Sequence, residues 1–71
     1  MEVLGEIKKN SKEKFIVSIN EYEGHKYIDV RVYYQDREGE YKPTKKGIAL
    51  SPKVVKEVME LVIVGAEKLQ V

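Results

Sequence analysis

Between Tyr27 and Leu50 the chain reads YIDVRVYYQDREGEYKPTKKGIAL, an alternation of aromatic, apolar and charged residues that runs into a lysine-rich loop containing no acid. Flat rings stack on the faces of unpaired bases, and cations hold phosphates in a salt-dependent way. Residues of these two kinds, placed this close together, point to a polyanion with exposed bases. Other chemistry finds little support. There is no cysteine nucleophile, no metal-ligand set and no glycine-rich phosphate loop, and no acid/base pair has a suggestive spacing. The chain is therefore expected to be neither an enzyme nor a cofactor carrier. The one histidine, His25, has no second ligand at metal-site spacing and is expected to be inert.

The net charge of +1 understates the basic character of two segments. Lys8 to Lys14 holds four lysines and one glutamate, and Tyr41 to Lys56 holds five lysines and no acid. Residues 15–40 hold six acids and three bases. A fold that gathers the two basic segments on one side owns a positive face concealed by the overall charge; otherwise the lysines are a solvated surface.

Positioning these residues requires strands. Phe15, Val17 and Ile19 alternate with Ile16, Ser18 and Asn20, a period-two pattern rich in β-branched residues. Glu21 to His25 supplies a glycine turn. Lys26 to Tyr34 then alternates again, with Tyr27, Asp29, Arg31 and Tyr33 on one face and Ile28, Val30, Val32 and Tyr34 on the other. The two form a hairpin. Asp36 to Gly39 is a tight turn, Glu40 to Lys46 runs through Pro43 as an edge or loop, and Gly47 to Leu50 is a short strand. Val3 to Ile7 adds another.

Ser51-Pro52 marks a helix start, with the serine oxygen available as a cap and proline at the first helical position. The helix is expected to reach about Leu69, with Gly65 as a kink or early end. Its cap, its apolar spacing and the pairs Lys53/Glu57 and Lys56/Glu60 favour helix over strand. Leu61 to Val64 is apolar on more than one side. A chain of 71 residues buries a small fraction of its surface and carries no disulfide, so self-association is the favoured support. The expected dimer interface is Val58, Leu61, Val62 and Ile63. Residues 1–71 are read as one domain of a protein with no membrane span and no signal peptide, located in the cytoplasm or nucleoid, or in the nucleus of a eukaryote.

Several words of the chain are similar in spelling to the DNA-binding domain of the transcriptional coactivator family called positive cofactor four. They are IDVR with Tyr33-Tyr34, D-x-E-G-E at 36–40, KPTKKGIAL at 42–50 and the SP that follows. The similarity runs from about residue 15 to 69. It implies an α+β fold, a four-stranded antiparallel sheet followed by a C-terminal helix that dimerises, with strands of both subunits offering a groove to single-stranded or melted DNA. It also implies roles for residues. Tyr22 matches a base-stacking aromatic, Arg31 the strand arginine, Tyr34 a position often held by tryptophan, and Lys45 and Lys46 the basic pair. Lys26, Tyr33 and Lys42 are added to the site.

The chain departs from the family where Glu23 and His25 flank Gly24, a turn commonly basic on both sides. It looks like a stand-alone core, without the serine-rich extension of the eukaryotic coactivator. Bland roles compete: Arg31 pairing with Asp29 or Glu21, Tyr22 covering a sheet edge, Tyr33 or Tyr34 in the core with a wet hydroxyl. The expected partners are single-stranded DNA, with RNA as the alternative, a second copy of the chain, and the transcription machinery. A dimeric regulator whose sheet binds a protein is the competing function.

Overall fold

The computed structural model describes residues 1–69. Strands β1 (Glu2–Lys8), β2 (Glu13–Tyr22), β3 (His25–Gln35) and β4 (Tyr41–Leu50) form one antiparallel sheet in the order β1-β2-β3-β4, and helix α1 (Pro52–Lys68) follows. The α+β fold expected above is the one observed. Each connection is explained locally. In the β1–β2 turn, Asn10 Oδ1 accepts the N–H groups of Lys12 and Glu13, while its amide donates to Glu13 Oε1 at 2.8 Å. The β2–β3 turn is only Glu23-Gly24, with φ of 50° and 80°; a two-residue hairpin of the I′ type needs positive φ at both places. In the β3–β4 turn Asp36 Oδ1 accepts from Glu38 and Glu40, and Gly39 takes φ 85°.

β2 and β3 stay in register from Glu13↔Tyr34 to Tyr22↔His25. Residues opposite one another share a face. One face therefore carries Ile16, Ser18, Asn20 and Tyr22 of β2 with Tyr27, Asp29, Arg31 and Tyr33 of β3. The other carries Phe15, Val17 and Ile19 with Ile28, Val30, Val32 and Tyr34, joined by Ile48 and Leu50 of β4. We call them the tyrosine face and the apolar face.

β4 joins the segment expected as an edge or loop to the short strand after it, as one ten-residue edge strand running through Pro43. An edge tolerates proline because one side of the strand has no ladder to complete. Pairing passes from Arg31↔Gly47 to Tyr33↔Pro43, so residues 44–46 stand opposite Val32 alone in a bulge. Thr44 pins that bulge. Its hydroxyl donates to the Val32 carbonyl at 2.7 Å and accepts the Lys46 N–H at 3.1 Å.

α1 continues through Gly65 to Lys68, and Leu69 N–H closes onto the Gly65 carbonyl. Ser51 precedes it in extended conformation, but its hydroxyl makes no cap bond; its carbonyl instead accepts from Val54 and Val55. No helical residue is fully buried, and the helix touches β3 and β4 alone. The molecule is a plate of 39 × 38 × 18 Å. Among the described residues its buried apolar side chains are Ile16, Val32 and Leu50, and no helix is long and apolar enough to cross a membrane.

Two predictions test these local devices. A Cβ on Gly47 would lie 2.7 Å from the Val30 carbonyl oxygen and 2.9 Å from Arg31 Cζ. Gly47→Ala therefore forces β4 away from β3 and is expected to cost about 1–3 kcal/mol, the scale of an overpacked site, read from urea denaturation. The Glu13 carboxyl is held below its ordinary value, first by the Asn10 hydrogen bond and then by the charges of Lys9 and Lys46, against partial desolvation. A lowered folded-state value adds stability above the unfolded value and loses it as pH falls through the folded one. Glu13→Gln should accordingly be less stable than the parent at neutral pH, with the gap closing as the solution is acidified below the ordinary glutamate range.

Candidate nucleic-acid interface

The central feature of the tyrosine face is Arg31. Its Nε and Nη2 donate to the two carboxylate oxygens of Asp29 at 3.0 and 2.9 Å, and Nη1 donates to the Thr44 carbonyl at 2.9 Å. Asp29 is buried, and the Arg31 side chain retains 25% exposure. Asp29 hydrogen bonding, ahead of the opposing effect of burial, pushes the guanidinium further toward its charged form. Three of its five N–H groups are engaged, which leaves two for a ligand. The pairing with Asp29 that competed with phosphate binding is thus present. Arg31 ties β3 to the bulge of β4 and remains able to offer a cation at the surface.

The other expected residues fall into two groups near opposite ends of the hairpin. At one end are Tyr22 and Lys26, beside the Glu23-Gly24 turn. Toward the other are Tyr33, Tyr34, Lys42, Lys45 and Lys46, on β3 and β4. Tyr34 lies nine steps along β3 from His25, which faces Tyr22, about 30 Å at roughly 3.4 Å per residue. They are also split between faces. Tyr22, Arg31 and Tyr33 lie on the tyrosine face, whereas Lys26, Tyr34 and Lys42 occupy register positions of the apolar face. Tyr22 and Tyr34 are 69% and 45% exposed, so both rings are accessible.

Lys45 and Lys46 project from the β4 bulge, exposed, and take part in none of the ion pairs among the described residues. Three other lysines at this end of the sheet are more committed. Lys9 reaches Glu13 at 3.4 Å, Lys14 reaches Glu6 at 2.6 Å, and Lys42 stands 3.8 Å from Asp36. The two basic segments do approach each other, since the β1–β2 and β3–β4 turns share one end of the sheet and Gln35 N–H bonds the Lys12 carbonyl at 2.8 Å. Part of their charge is cancelled there by these acids.

Three residues outside the expected set belong to the same surface. Lys14 Nζ sits 4.0 Å from the centroid of the Tyr41 ring, a cation–π contact next to Tyr33, which is the cross-strand partner of Lys14. Tyr27 shares the tyrosine face with Tyr22 and borders a hollow at the β2–β3 turn. The β3 alternation already puts Tyr27 on the side of Arg31. Tyr41 and Lys14 meet only through the three-strand register, which no local pattern reveals.

Comparison with known proteins gives the lineage. A PC4 homologue from Burkholderia pseudomallei is similar in two crystal forms, with TM-scores of 0.85 and 0.86 at 26% identity. The match covers 92% of this chain and 88% or 96% of that one. A bacteriophage T5 homologue of the eukaryotic transcription coactivator PC4, implicated in recombination-dependent DNA replication, shares the fold with a TM-score of 0.61 at 20% identity, over 93% of this chain and 76% of that chain. The family model for transcriptional coactivator p15 (PC4) matches residues 9–61, well over half the sequence and all the strands that carry the tyrosines and the lysine bulge. The chain belongs to the PC4 family of transcriptional coactivators.

Proposed function

We propose that this protein binds single-stranded or melted DNA as a homodimer, with little sequence preference, and acts in transcription or in replication and repair. Membership of the PC4 family supports a single-stranded-DNA-binding, coactivator-like role. The observation that carries the finer reading is the meeting of an exposed ring, Tyr34, and a half-buried one, Tyr33, with unpaired cations at one edge. Tyr33 and Tyr34 point to opposite faces of β3, and beside them the β4 bulge presents Lys45 and Lys46. A strand crossing this edge has a ring on either side of the sheet and lysines for its phosphates between them. Stacking of this kind tolerates any base and is worth roughly 1–3 kcal/mol per base. Arg31 holds the bulge in place and offers its remaining N–H groups to the same strand.

The dimer is supported by what one chain leaves uncovered. Leu61, Val62 and Ile63 are 72%, 56% and 60% exposed, and Val58 is half-buried. Ile48 of the apolar face and Ile7 of β1 are exposed as well. Large apolar surface of this kind on a thin plate marks an interaction face. A second copy, packed helix to helix, covers it with an isologous contact and doubles the stacking stations available to one strand. The absence of any helix spanning a membrane among the described residues accords with a nucleoid or cytoplasmic setting, or a nuclear one in a eukaryote.

Titration with labelled single strands, RNA and duplex of equal length, at two salt concentrations, tests the function. Single strands are expected to bind more tightly than duplex. Lys45→Ala with Lys46→Ala should weaken binding to all sequences alike and lower the salt slope by about 0.7 for each phosphate that is no longer neutralised. Equal affinity for duplex, or a double variant indistinguishable from the parent in affinity and slope, contradicts the proposal and favours a protein partner.

Sedimentation tests the dimer. The parent should sediment at twice the 8.2 kDa chain mass at micromolar concentration, and Val62→Asp, which places an unpaired charge in the interface, should yield monomer or unfolded chain. A monomeric parent, or a Val62→Asp variant that stays dimeric, overturns it.

A further inference from the structure

Two hairpin turns of opposite charge stand side by side at one end of the plate. Residues 8–12, at the β1–β2 turn, are Lys-Lys-Asn-Ser-Lys, with three lysines and no acid; residues 36–40, at the β3–β4 turn, are Asp-Arg-Glu-Gly-Glu, with three acids and one arginine. The Gln35 N–H, bonded to the Lys12 carbonyl at 2.8 Å, sets the two turns at the same height. In the strand order β1-β2-β3-β4 their centres are two strand spacings apart, about 10 Å. Lys8, Lys12, Glu38 and Glu40 are exposed and take part in none of the ion pairs among the described residues. Both turns are held in shape before any partner arrives: Asn10 Oδ1 accepts from Lys12 and Glu13, and Asp36 Oδ1 accepts from Glu38 and Glu40. Little freedom is then lost on contact, which is the advantage of a preorganised surface.

This end of the sheet is complementary to itself. A two-fold axis normal to the sheet, placed just beyond the turns, reverses both the strand direction and the left-to-right order of the strands. It brings the lysine turn of each copy against the acidic turn of the other, with the tyrosine faces on the same side. Ends that meet without that reversal set lysines against lysines and repel. We propose that this end docks against the same end of a second copy, with Lys8, Lys9 and Lys12 of each meeting Asp36, Glu38 and Glu40 of the other. The inference rests on single-strand binding by a dimer paired through α1, and it uses none of the residues of that interface. Exposed ion pairs contribute little each, so the contact does not hold dimers together in free solution. Neighbours on one strand are confined to each other's vicinity, at an effective concentration on the order of millimolar. There the contact becomes a source of cooperative binding, one that weakens as salt screens it.

The test compares oligothymidylates long enough for one dimer with others long enough for two, at low salt, with sedimentation counting the chains on each strand. The contact is read as the gain in affinity per site on the long strand over the short one, expected to be about fivefold or more for the parent, the lower end of ordinary coupling. Lys8→Glu with Lys12→Glu, and Glu38→Lys with Glu40→Lys, should each abolish the gain, although the first weakens binding to the short strand and the second strengthens it. The variant carrying all four reversals should regain it, because its turns are again of opposite sign. Circular dichroism checks that each variant keeps the parental strand content. A parent that fills the long strand with no gain, double variants that keep the gain, or a quadruple variant that fails to recover it overturns the inference and leaves single-strand binding standing. If the parent binds neither strand, the proposed function itself fails and the contact falls with it.

Discussion

The carboxylate of Asp29 gripping the guanidinium of Arg31 is the interaction on which the bulged β4 edge depends. Two parallel hydrogen bonds fix the guanidinium plane, and a bidentate arginine–carboxylate pair is both strong and geometrically demanding. The third bond, to the Thr44 carbonyl, reaches across to β4 where the ladder is broken by the bulge. Gly47 is the space through which this is possible, since any side chain there would meet Arg31 or the Val30 carbonyl. One buried acid thus explains four letters of the word KPTKKGIAL: threonine to close the bulge, glycine to admit the guanidinium, and the lysine pair between them left facing solvent.

The same arrangement separates structural charge from functional charge. Arginine remains protonated at any pH a folded protein meets, so Arg31 keeps its charge while it braces the bulge. The lysines paired to Glu6, Glu13 and Asp36 steady the turns at one end of the sheet, and exposed pairs of that sort contribute little each. The ion pairs among the described residues engage Lys9, Lys14, Arg31 and Lys42 and leave out the exposed Lys45 and Lys46 of the β4 bulge. A net charge of +1 therefore understates what the surface offers a polyanion, since the acids that form ion pairs do so elsewhere and not with the bulge.

Much of this was legible in the sequence, because period-two alternation in β2 and β3 and the Ser-Pro helix start are local signals. The side of β3 on which Asp29, Arg31 and Tyr33 lie followed from parity alone. β4 was legible as an edge or loop leading into a short strand, since proline and two consecutive lysines leave both open locally; only the pairing with β3 shows one continuous strand with a bulge. The Lys14–Tyr41 contact was hidden for a related reason: it joins strands that are not neighbours in the sheet. Capping by Ser51 was expected from residue type, but the helix is opened by the Ser51 carbonyl with its hydroxyl unused. The separation of Tyr22 from Tyr34 by the length of the hairpin and by face is a property of register and twist that no list of residue types contains.

The strut formed by Asp29 and Arg31 is tested most sharply by the Asp29→Asn variant, studied by amide hydrogen exchange with single-strand affinity measured on the same sample. If Asp29 holds Arg31 as the support of the β4 bulge, removing its charge frees the guanidinium and loosens the bulge. The Lys46 N–H, bonded to Thr44, should then exchange faster, and binding should weaken although the protein has become one charge more positive. Unchanged protection at Lys46 with tighter binding would show the reverse: that Asp29 merely restrains a phosphate-seeking arginine, and that the edge is organised by something else.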